Sequence, residues 1–221
     1  MESFLYILFS IFDALAMIFL MFKLYRLPIN FYIKEISLLT LVIALFSFLM
    51  RMVIHLPLFD LPMQFLIFVF FFRYIIQMKF HYSAFVASSG FILFTNIQLL
   101  LYYFFTFTGI MNSSVLTQLS GLSVYLVQIS TELFTFLLCW LLWRYSLGFS
   151  FILMPPHDFD DSEDYSSRQN KEIIISTVIS FITISATVLF LHDGNPSILF
   201  ILSVISFGIA YYFSKKGDMS W

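Results

Sequence analysis

The sequence predicts an all-α, polytopic membrane protein of about seven transmembrane helices, with its N-terminus outside and its C-terminus in the cytoplasm. Composition is the first reason. Of the 221 residues 61% are hydrophobic and only 11% charged, with 31 Phe and a mean hydropathy of +0.94. A soluble domain carries roughly 25% charge to cover its surface, and no single soluble core hides this much Phe, Leu and Ile, so the solvent is lipid. The second reason is that apolar runs of spanning length recur with short breaks between them. The third is that Lys and Arg fall in alternate breaks, the pattern that orients a membrane protein.

Runs broken by charge place spans at 4–22, 35–54, 62–78, 82–107, 120–143, 172–191 and 197–213. A span takes ~20 residues, so the third and seventh sit at the lower limit, and one transmembrane domain occupies 1–221. MESFLYILF lacks the basic n-region of a cleaved signal, so the first run is expected to remain as a span. Leu27–Pro28, the stretch from Pro57 to Pro62, the polar residues 109–114 and Gly194–Asn195–Pro196 supply the turns. With the N-terminus outside, Lys23, Arg26, Lys34, Arg73, Lys79, Arg144, Arg168, Lys171, Lys215 and Lys216 all face the cytoplasm. Those are ten of the eleven basic residues, Arg51 being the exception. A six-span chain would put Lys215 and Lys216 outside.

Small and polar residues recur at helical spacing within several spans. The second has Ser37, Thr40, Ala44, Ser47 and Arg51; the fifth has Gly121, Tyr125, Gln128, Glu132, Thr135 and Cys139; the sixth has Ser176, Ser180, Thr183 and Thr187. Steps of three and four put each set on one face. Such faces are expected to meet other helices, because small residues permit close approach and hydroxyls bond across interfaces. The third span, FLIFVFFF, has no such stripe and is expected to face lipid mostly.

Asp13, Arg51 and Glu132 are ionisable groups inside spans. Each costs ~2.5–3.5 kcal/mol at the bilayer centre on insertion scales, so each needs a partner, water or neutralisation. At ~1.5 Å per residue, Asp13 lies roughly 13 Å from the outer end of its span and Glu132 roughly 18 Å, with Arg51 only about four residues below the surface. Gln64, Asn96, Gln98 and Gln128 fall in the same outer half, so five spans each contribute a strong polar group to one layer. Two readings fit. In one, Arg51 pairs with Asp13, Glu132 is protonated or bonded to Gln128, and the amides knit the bundle together. In the other, the layer lines an outward-facing cavity for a ligand or partner segment.

Residues 155–171 read as an acidic cytoplasmic loop, with five carboxylates in 158–164. It lacks the glycine and terminal Glu of a calcium loop and is expected to be plainly solvated. His55, His81 and His192 sit at span ends, where water is expected to reach them. The single Cys139 excludes an intramolecular disulfide framework and a cysteine-based zinc cluster. Neither H-E-x-x-H, G-x-S-x-G nor a phosphate-binding glycine loop occurs, and a Cys139–His81 or Cys139–His157 dyad has no spacing signature. With seven Gly, Pro expected only in loops and no internal repeat, a secondary transporter is disfavoured too. The chain is therefore expected not to be an enzyme and to need no metal, cofactor or nucleic acid.

Asp13 in the first span, a basic turn, Arg51 near the end of the second, Leu61-Pro62-x-Gln64 entering the third, the turn MKFHYSAFVAS and Gln98 in the fourth together resemble a known pattern. The first 110 or so residues are similar to the membrane-sensor region of peptide-sensing histidine kinases of Gram-positive bacteria, the accessory-gene-regulator type, and to kinase-less small membrane proteins of the same bacteria. In those kinases a phosphorylation helix and an ATPase domain follow the last span; here eight residues follow Phe213. The resemblance implies a bacterial plasma-membrane sensing half without its output half. The function expected is a non-catalytic binding module for an extracellular or membrane-borne ligand, a peptide among the candidates, signalling through a protein partner or a second copy. A structural or accessory subunit of a transporter or peptide-processing complex is the alternative, and an intramembrane enzyme using Asp13 or Glu132 a third.

Overall fold

The computed structural model describes residues 2–112, 115, 121–152, 155–157, 165–192 and 196–219. Seven α-helices run through them: α1 Glu2–Leu24, α2 Ile33–Phe48, α3 Pro57–Phe70, α4 Phe80–Phe107, α5 Leu122–Tyr145, α6 Arg168–His192 and α7 Pro196–Met219. No strand occurs among the described residues. The carboxylate run of the acidic loop (158–164), residues 113–114 of the polar loop and the Gly194–Asn195 turn lie outside them.

Six helices are long and apolar enough to cross a membrane: α1, α2 with its flanking turns, α3 with its last turn, α4, α5 and α7. The chain is a membrane protein. The seventh candidate is α6, 25 residues long, with no ionisable residue from Ile173 to Phe190. Of the two short spans of the sequence reading, the seventh lengthens at both ends to Pro196–Met219, and the third starts five residues earlier and ends at Ile75. Helix α3 begins at Pro57, whose missing N–H suits the first helical position, so Pro62 lies within the helix rather than in a turn. Pro62 has no N–H to donate to the Leu58 carbonyl, but this falls in the first turns of the helix, where a missing bond disturbs it least.

Helix ends follow a common chemistry. α1 stops at Arg26 and α5 at Ser146, both in the left-handed region at φ 51° and 53°. In each the following amide reaches back five residues, Leu27 to the Phe22 carbonyl and Leu147 to Leu142, which satisfies the carbonyls a helix end orphans. α2 and α3 widen into π-turns at Leu49–Val53 and Phe71–Ile75 before left-handed His55 and Gln77. Arg51 and Arg73 sit in these turns, which re-aim side chains relative to a regular helix.

Helix α4 is the centre of the bundle, packing on α1, α3, α5, α6 and α7. Its most apolar stretch is 67% buried, against 28–39% for the other five spans. The reason is the run from Ser83 to Gly90, which is buried throughout and mostly small. A Cβ on Gly90 would lie 2.3 Å from Met21 Cγ, so α1 and α4 approach more closely than any larger residue allows. Helix α3 corrects the lipid-facing expectation: Phe65, Phe68, Val69, Phe71 and Phe72 are all buried against the bundle. With no small residue to mark the buried face, a uniformly large and apolar run conceals which side packs.

Consecutive helices run in opposite directions, as contacts at the two ends establish. At one face the starts of α1 and α5 stack through Phe9 and Tyr125, and Tyr103 near the end of α4 bonds Ser197 at the start of α7. At the other, Phe149 N–H donates to the Leu24 carbonyl at 2.7 Å, and His157 N–H to the Gln77 carbonyl at 2.9 Å. Lys216 of α7 there meets Glu172 of α6. Lys23, Arg73, Arg144, Arg168 and Lys216 lie at this second face, and Arg51 at the first. The stripes of α5 and α6 turn inward as expected, with Glu132, Thr135, Cys139, Ser176, Ser180 and Thr183 buried. Ser180 and Ser206 bond across α6 and α7 at 3.0 Å. Ser37 departs from its stripe: it is exposed and bonds its own helix at Ile33. His81, expected at a wet helix end, is buried.

Candidate functional site

The first face opens into a cavity of about 220 Å³ to which all seven helices contribute. Helix α1 lines it with Tyr6, Ser10, Asp13, Ala14 and Met17, and α4 with Phe91, Phe94, Thr95, Gln98, Leu99 and Tyr102. Both sets repeat at steps of three and four, one helical stripe each. Ile43, Ser47 and Arg51 come from α2 and its π-turn, Leu61 and Gln64 from α3, and Val124, Val127 and Gln128 from α5. Thr187 of α6 and Leu199 of α7 complete the wall.

One wall is a hydrogen-bonded chain built on Asp60. This carboxylate is wholly buried and accepts from Arg51 Nε, from Ser47 Oγ at 3.0 Å and from Gln64 Nε2 at 2.8 Å. Ser47 has one proton and gives it to Asp60, so the 2.9 Å contact with Tyr6 is donated by the Tyr6 hydroxyl. The arrangement ties α1, α2 and α3 together. It also resolves the cost of Arg51: the charge has a partner with three donors, the condition under which a buried ion pair holds.

The opposite wall joins α1 to α5, where Gln128 Nε2 donates to Asp13 Oδ2 at 3.0 Å. Asp13 Oδ1 and Gln128 Oε1 are buried with no hydrogen-bond partner among the described residues, as is Glu132 Oε1 one turn further along α5. Buried acceptors without donors are rare, because each retains its full desolvation penalty.

Two expected pairings are thereby replaced. Arg51 does not bond Asp13 but Asp60, and Gln128 bonds Asp13 rather than Glu132. Asp60 was hidden because the sequence reading placed it in a turn between two prolines; with α3 starting at Pro57 it sits in the first turn, four residues from Gln64 and on its face. A D-x-x-x-Q step after a helix-starting proline was the available signal. Of the seven expected residues, Asp13, Arg51, Gln64, Gln98 and Gln128 line the cavity. Glu132 is buried beside the α1–α5 wall without lining it. Asn96 lies elsewhere: its amide donates to the Ser203 carbonyl at 3.1 Å and accepts from Ser203 Oγ at 2.7 Å, a closed clasp between α4 and α7. That residue is structural.

Among the described residues no group of three His, Cys, Asp or Glu converges to hold a metal. Cys139 is buried, and His157 Nδ1 accepts from the Lys79 amide at 3.0 Å. The cavity combines apolar surface with a few oriented polar groups, the composition of small-molecule sites. Comparison with protein-family models, curated proteins and solved structures gives no match for this chain.

Proposed function

We propose that this chain is a seven-span module of a bacterial plasma membrane, N-terminus outside and C-terminus inside, that binds a ligand in its outward cavity and signals through a partner protein. The observation that carries this reading is the cavity on the N-terminal face, to which all seven helices contribute a side chain. Occupancy of such a space bears on every helix at once, which is how a bound ligand would be relayed to a partner protein. The inner face supports the orientation, since the basic residues cluster there. The resemblance to accessory-gene-regulator-type sensors favours a peptide or peptide-like ligand.

Cysteine accessibility in intact cells tests both parts, in a Cys139→Ser background. Ser10→Cys, in the cavity wall, and Asn112→Cys, in the loop after α4, are expected to react with an impermeant thiosulfonate reagent, and Ser166→Cys is not. Labelling at Ser166 with none at Asn112 would reverse the orientation. An inert Ser10→Cys beside a reactive Asn112→Cys would remove the outward cavity.

A further inference from the structure

The guanidinium of Arg51 is held in an unusual way. Its Nε bonds Asp60, and the described residues offer its two Nη groups no partner. The Arg51 side chain keeps 31% of its surface exposed while Asp60 has none, and Arg51 lines the cavity. Asp60 is itself braced by Ser47 and Gln64. An arginine anchored through Nε presents its outer Nη edge as a planar fork, matched in spacing to the two oxygens of a carboxylate. Because Asp60 already fixes the rotamer, little side-chain entropy remains to be lost on binding. The cavity that Arg51 lines has an apolar stretch of wall, Met17, Phe91, Phe94 and Leu99, beside polar groups that include Asp13, Gln98 and Gln128.

We infer that the cavity takes an apolar molecule ending in a carboxylate, with the carboxylate seated on the Nη edge of Arg51 and the apolar body against α1 and α4. This rests on the outward-cavity reading above. Arg51 carries the contact, and Asp60 is a positioning residue that aims it. Two natural sources share this chemistry, the C-terminus of a hydrophobic peptide and a free fatty acid.

The test uses the full chain in lipid nanodiscs, carrying Ser10→Cys and Cys139→Ser, and reads protection of the cavity thiol from the thiosulfonate reagent. The probes are decanoate against decanol, and a Leu-Leu-Phe tripeptide with a free against an amidated C-terminus. In at least one pair the carboxylate is expected to protect at a concentration tenfold or more below its neutral counterpart. Protection by decanoate alone assigns the fatty acid, and by the free-acid peptide alone the peptide terminus; either supports the inference. Arg51→Lys keeps a positive charge beside Asp60 and so keeps the fold, but lacks the free fork, and is expected to lose the carboxylate preference. Equal protection within both pairs, no protection by any probe, or an unchanged preference in a folded Arg51→Lys protein would overturn the inference while leaving the cavity intact. A cavity thiol that never reacts would overturn the cavity reading and the inference together.

Discussion

The two ends of the bundle are built from the same seven helices and come out opposite. At the N-terminal face, side chains from every helix surround empty space. At the other face the chain after α5 turns back beneath the bundle and fills it, with Phe149, Phe151 and Ile152 buried. Phe151 packs edge-on against Tyr25, Tyr82 and Phe85. The approach is close enough that a Cβ on Gly148 would lie 2.4 Å from the Lys23 carbonyl, and one on Gly217 2.7 Å from Phe151. Tyr25 adds a 2.8 Å bond to Ser89 within the same cluster. The difference teaches where this protein keeps its packing and where it keeps its chemistry. Aromatic rings interlock at the closed end, whereas polar groups at the N-terminal face brace one another across a gap that packing leaves open.

The largest expected effect tests the closed end. Phe151→Ala should cost about 3–5 kcal/mol, the usual range for truncating a fully enclosed aromatic. It should lower thermal stability in detergent while leaving labelling of a Ser10 cysteine unchanged in the folded protein. If cavity labelling changes with it, the two ends are not independent.

Asp60→Ala sharpens the comparison, because it places a cost of similar kind at the open end. It strands Arg51 and two further donors, and breaking one side of a buried pair costs about 3–5 kcal/mol where the remaining charge stays enclosed. Arg51 is partly exposed, so the loss should fall at or below the lower bound. The double variant Asp60→Ala/Arg51→Met should recover stability relative to Asp60→Ala alone. A double variant no more stable than the single would show that the ion pair is not what joins α2 to α3.

The smallest effect concerns Glu132. Its Oε1 has no donor among the described residues, so Glu132→Gln removes a buried acidic group while keeping shape. Stability should stay level or rise by up to about 1 kcal/mol, since exchanging a poorly satisfied charge for a neutral isostere is often neutral or favourable. A clear drop in melting temperature would mean that Glu132 braces the α1–α5 wall as Asp60 braces the other.

Sequence alone carried the fold class. Apolar runs, a charge fraction too low for water and the one-sided Lys and Arg are properties of segments, legible without knowing what touches what. The shared polar layer was legible for the same reason, since depth along a helix is residue count times rise. What the layer does was not. Pairing depends on rotation and neighbour, which residue count leaves open, so Arg51 went to Asp60 of α3 and Gln128 to Asp13 of α1. Asp60 stayed invisible because starting the helix at Pro57 rather than five residues later at Pro62 decides whether it is loop or wall. The closure of the opposite face escaped as well: Phe149 and Phe151 sit in a stretch with no helical period, and only the fold back onto Leu24 and Phe85 gives them a place. Tertiary structure decided these points because packing is a relation between distant segments, and a linear pattern records only one side of it.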